Sequence, residues 1–122
     1  MEQKLRINDI PPNLNETIGM TKRHWGQYYN KKKKWSKLIQ EKCKEQNLQP
    51  HQGSVKITLQ NTYPNRRRRD PDNIILKFIL DGLVEAGIIQ DDSFEYIEDI
   101  TIKRPVIQKD CKDTVLTITD SI

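Results

Sequence analysis

Four guanidinium groups, Arg66 to Arg69, run directly into two carboxylates, Asp70 and Asp72, in the stretch "NRRRRDPDNIILK". Arginine forks grip phosphate and carboxylate bidentately. Closely spaced carboxylates hold hard divalent cations, which take oxygen ligands. The segment thus combines groups that hold an anion with groups that hold a metal. Asp70-Pro71 also has a plain structural reading, since Asp favours the N-cap of a helix and Pro its first turn. A second acidic pair, Asp91-Asp92, follows after the turn "AGIIQ". His24 and His51 stand alone, which supports neither a histidine metal site nor a histidine-based triad. Cys43 and Cys111 lack the spacing of a zinc or disulfide motif.

These groups need elements to position them. Apolar residues from Ile74 to Ala86 recur at helical spacing, and Gly87 stops the run, so a helix is expected from Pro71 to about Ala86. Such a helix is about 24 Å long. It holds the two acidic pairs apart unless the chain doubles back along it. Its apolar residues wrap most of the circumference, leaving a polar stripe of Asn73, Lys77, Asp81 and Glu85. That excess suggests a twin helix in a dimer, or else cover from the first helix.

Upstream, "KLRINDI" reads as a strand and "PPNLNETIGMT" as a loop. A helix follows from about Lys22 to Gln46, carrying Lys31 to Lys34 and Lys37 on its polar side. A lysine run of this kind is ordinarily a solvated face. "SVKITLQNTY", "FEYIEDITIKRPVI" and "DTVLTITDSI" alternate as strands. In the second of these, Phe94, Tyr96, Ile100 and Ile102 share one side, and a register reaching back two residues adds Asp92 to it. The fold expected is a single α+β domain over residues 1–122, in β-α-β-α-β-β order, with a sheet packed by two helices.

The chain has 122 residues and a net charge of +4. Residues 1–69 carry +11 and residues 70–122 carry −7. The basic half suits a polyanion and the acidic half suits cations, unless the two simply neutralise each other across the fold. No apolar run is long enough to cross a bilayer, no secretory leader is apparent, and a reducing cytoplasm is the expected location.

In order and spacing the motifs resemble the RusA-type Holliday junction resolvases, DNA endonucleases common in phages and prophages. The matching positions are Pro11-Pro12 with Asn15, the basic lead-in Arg66 to Arg69, "DPDN", Lys77 and Asp81, Gly87, and Asp91-Asp92. The resemblance implies a Mg²⁺-dependent homodimer that nicks four-way DNA junctions symmetrically. It places metal-binding acids at Asp70, Asp72 and Asp92, and a functional lysine at Lys77, with acids of one site drawn from both chains in such dimers. The arginines, with Arg69 foremost, would grip the flanking DNA. The sequence departs from the family pattern at Asn13, where a serine is common. It also has one extra residue between Asp72 and Lys77, which a looser first turn or a π-bulge could absorb. The competing readings are a non-catalytic nucleic-acid-binding protein and an acidic–basic protein-interaction module. Metal dependence separates the first of these from an enzyme.

Overall fold

The computed structural model describes residues 1–121. Among them are five strands, β1 (Glu2–Ile7), β2 (Val55–Tyr63), β3 (Ile97–Ile102), β4 (Val106–Ile107) and β5 (Asp113–Asp120), and three α-helices, α1 (Leu14–Arg23), α2 (Trp25–Glu45) and α3 (Lys77–Glu85). The class is α+β, as expected. The strands form one mixed sheet in the order β1-β5-β2-β3, with β4 also paired to β2. β5 runs antiparallel to both its neighbours, while β2 pairs in parallel with β3 and β4. A parallel pair requires a crossover, and α3 provides it between β2 and β3.

Alternation decides which face of the sheet is buried. Leu5 and Ile7, then Val55, Ile57 and Leu59, then Leu116 and Ile118 turn to one side and are almost fully buried. Trp35, Ile39 and Cys43 of α2 and Phe78, Ile79 and Leu83 of α3 complete this core. Burial alone pushes the Cys43 thiol up to about 11. The opposite side of β1 and β2 carries Lys4, Arg6 and Lys56, all exposed.

Three expectations are corrected. The "PPNLNETIGMT" loop is largely helix α1. Asn13 accepts a hydrogen bond from Glu16 N at 2.9 Å, and Glu16 reaches back to Asn13 N. This capping box starts a helix immediately after Pro11-Pro12, and Asn13 fills the cap where the family pattern commonly has a serine.

The helix expected from Pro71 is in fact a single 3₁₀ turn, Pro71–Asn73, then an extended link, then α3 from Lys77. The backbone leaves helical geometry at Ile74 (φ −84°, ψ 125°). The extra residue before Lys77 therefore falls in the link, and Lys77 keeps its four-residue spacing to Asp81 within α3. At the far end Gly87, at φ 75°, stops the helix as expected.

The second apolar face of α3 packs on α2. A Cβ at Gly82 would lie 2.5 Å from Ile39 Cδ1, so glycine allows this close approach. Phe78 packs against Tyr28, and Leu80 and Val84 are half-buried against the core. No large apolar side chain of α3 is left exposed, so α3 is not the free face a twin helix would need.

Candidate active site

The two halves of the motif meet in space. Asn15 N donates to Asn73 Oδ1 at 3.2 Å, tying the start of α1 to "DPDN" across 58 residues of chain. Between them lies a cleft of about 690 Å³. Leu59, Asn61 and Tyr63 at the end of β2 line it, as do Pro11-Pro12, Asp70 and Asn73, together with the cations Lys31 and Lys112.

Asp70 does not act as a cap: its side chain makes no hydrogen bond to the turn it precedes. The carboxylate instead accepts from Arg68 Nε at 3.2 Å and is half exposed. Asp72, within the turn, is exposed, as are Asp91 and Asp92. The capping explanation of Asp70 therefore falls away, and the pair presents open oxygens beside a cationic loop.

The parity argument for Asp92 does not reach it. Ser93 accepts from the amides of Tyr96 and Ile97, closing a turn before β3 begins at Ile97. The register of β3 on β2 is irregular at its first pair as well. Phe94, expected to face inward, is 94% exposed. Among the described residues, no three of Asp, Glu, His and Cys gather as a metal site, so Asp70 and Asp72 are not joined by Asp92 within one chain.

The arginines divide by role. Arg69 turns inward, its guanidinium lying 3.7 Å from the centroid of the Tyr63 ring. Its Nη1 donates to the carbonyls of Asn65 and Arg67 at 2.9 and 3.0 Å, and its Nη2 to Asn65 Oδ1 at 2.9 Å. It thus folds the basic loop onto the end of β2. Burial holds the Tyr63 hydroxyl above its ordinary value, against opposing pulls from Arg69 and Asn61. Arg66, Arg67 and Arg68 are exposed and form the outward cationic surface.

Lys77 Nζ lies 3.3 Å from Asp81 Oδ1, and Lys32 Nζ lies 3.2 Å from Asp81 Oδ2. Asp81 is largely buried, and its hydrogen bond and charge hold Lys32 above the usual lysine value. The lysine run of α2 is accordingly not one face. Lys31 borders the cleft, Lys32 pairs with Asp81, and Lys33, Lys34 and Lys37 are solvated.

His51, isolated in sequence, is buried and partnered. Its Nδ1 lies 2.6 Å from Asp120 Oδ1 and its Nε2 2.9 Å from Gln3 Nε2. Gln3 Oε1 accepts from Gln49 N, which orients the amide so that its nitrogen donates to the ring. Both ring nitrogens are thus held by partners. Gln3 occupies the position a nucleophile would need, so this pair is structural. With its members 69 positions apart in sequence, no local signal marks it.

Comparison with known proteins agrees with the geometry. The family model for "Endodeoxyribonuclease RusA" matches residues 9–119. The crossover junction endodeoxyribonuclease RusA of Enterobacteria phage HK97 is 37% identical over 99 residues, covering 79% of this chain and 78% of that protein. Both matches take in the basic loop, "DPDN" and the second acidic pair. The chain belongs to the RusA family of endodeoxyribonucleases.

Proposed function

We propose that this protein resolves four-way DNA junctions by Mg²⁺-dependent hydrolysis of phosphodiesters in two strands, acting as a homodimer in the cytoplasm. The observation that carries the reading is the Asp70–Asp72 pair. Its exposed carboxylates, free of capping hydrogen bonds, follow a cationic loop, and Asp70 lines the cleft where both family motifs meet. Hard oxygen donors of this kind fit a divalent ion that completes its shell with water and phosphate. Asp70 and Asp72 would hold it. When bound there, the ion would supply Lewis-acid activation of water and charge neutralisation at the phosphate.

The remaining work falls to the chain itself. Arg66, Arg67 and Arg68 meet the flanking phosphates, and the inward Arg69 keeps their loop in place. Lys77 neutralises charge on the scissile phosphate, and Asp81, four residues on, keeps it oriented. Asp92 would complete the site from the partner chain of a dimer, where Phe94, exposed beside it, gives that loop an apolar contact. Two sites related by a two-fold axis match two strands to be cut.

The test is a labelled four-way junction incubated with and without Mg²⁺. The expected result is paired nicks only with metal, from a species of twice the monomer mass in sedimentation. Junction binding without cleavage at any Mg²⁺ concentration would reduce the activity to binding.

A further inference from the structure

Outside the cleft, the start of α2 presents two uncovered rings. Trp25 is 67% exposed and Tyr29 is 55% exposed, one turn apart on the same face. Neither belongs to the core. Trp25 stacks on Tyr28, with centroids 5.6 Å apart and planes inclined by 25°, and Tyr28 packs on Phe78 at 5.5 Å. The outer ring is therefore anchored through a column of aromatics to α3, one residue from Lys77. Lys33 extends the face, with its ammonium 5.3 Å from the centroid of Tyr29.

Charge identifies the occupant. From residue 17 to residue 40 there is no acid and there are seven lysines and arginines. A second copy of this chain meeting the face symmetrically would set like charges against like. A polyanion carrying flat apolar rings satisfies both features, since phosphates meet the lysines and bases meet the aromatics. We infer that Trp25 and Tyr29 form a stacking platform for unpaired or unstacked DNA bases, flanked by Lys22, Arg23 and Lys33. The platform rests on the proposed junction reading for its nucleic acid, and its column of aromatics ends at Phe78, the residue after Lys77.

The experiment uses the full chain without metal, so that cleavage plays no part. Trp35 is buried and gives a constant background, which leaves Trp25 as the responsive fluorophore. A single-stranded oligothymidylate of about twenty nucleotides should quench it, as stacking requires, whereas heparin, a polyanion without bases, should not. The double variant Trp25→Ala/Tyr29→Ala should bind the oligonucleotide and a four-way junction about tenfold or more weakly. Its log–log salt slope should stay unchanged, because stacking releases no counterions. Trp25→Phe, which keeps an aromatic face, should bind within about twofold of wild type. Equal quenching by heparin, wild-type affinity in the double variant, or a change in its sedimenting mass would each overturn the platform. A protein that is quenched by oligothymidylate yet cuts no junction with Mg²⁺ would instead refute the proposed function and leave the platform standing.

Discussion

Asp81 and Asp113 contrast with Asp70 and Asp72. The first two are largely buried and matched to cations. Asp81 lies between Lys32 and Lys77, and Asp113 Oδ2 sits 2.9 Å from Arg6 Nη2. The second two are exposed, and Arg68 on Asp70 is the one ion pair they share among the described residues. All four are aspartates, and nothing local in sequence separates the buried pair from the exposed one. An interior carboxylate is committed to the groups that made its burial tolerable. A carboxylate free to take a metal is one the fold does not depend on.

That contrast breaks first on catalysis. Asp70→Asn and Asp72→Asn should each reduce junction cleavage by at least about 100-fold, the scale of losing a transition-state electrostatic contact. Binding should survive, and Tm should move by less than about 3 °C. Cleavage and melting curves on the same preparations check this. A large fall in Tm would move the pair into the structural class.

The second acidic pair sharpens the comparison. Asp92→Asn should lose activity at every point of a Mg²⁺ titration, while Asp91→Asn keeps a substantial part. The opposite ranking would make Asp91 the ligand. Asp81→Ala should behave as an interior acid. Its two lysine partners are partly exposed, so the expected loss is about 1–2 kcal/mol rather than that of a fully buried pair. Metal-free thermal melting measures it, and an unchanged Tm would mean that Asp81 serves Lys77 alone.

Among the cations, Arg66→Ala and Arg67→Ala should each flatten the log–log salt dependence of DNA binding by about 0.9. Arg69→Ala should instead loosen the loop and lower Tm with less change in slope. The smallest effect concerns acid. The hydrogen bond with His51 holds Asp120 below its ordinary carboxylate value. Its contribution to stability is therefore complete above that ordinary value and is lost as pH falls through the lowered one. Asp120→Asn should flatten this acid limb of a Tm–pH curve, with its small loss of stability expressed at neutral pH and vanishing in acid.

What the sequence disclosed follows from how local each cause is. Alternation in β2 and β5 and the helical spacing of α2 reflect burial on one face, so they were legible. Helix α1 was hidden by its prolines and asparagines, although Asn13 and Glu16 carried the signal of a capping box. The apolar run from Ile74 masked the break before Lys77, because Ile74, Ile75 and Leu76 bury their side chains equally well from an extended link. The site was visible as a set of residues through family motifs. The inward turn of Arg69 and the partner of His51 depend on tertiary contacts and leave no periodic trace. The close approach of α2 to α3 at Gly82 is another tertiary contact of this kind. Gly82→Ala should cost about 1–3 kcal/mol by overpacking against Ile39.

The position of β5 governs how the molecule comes together in time. The strand made last is inserted between β1 and β2, which do not pair with each other. Until residues 113–120 are available, the hydrophobic faces of β1 and β2 lack the element that joins them, and each exposes an unpaired edge. Closing contacts between positions as distant as Glu2 and Thr119 demands a long loop search, which slows folding. During synthesis, the cleft floor formed by β2 and the cap around α1 would therefore wait for the final strand. Activity should appear in step with completion of the sheet, and a chain released before residue 113 should remain a substrate for proteases rather than a partially active nuclease.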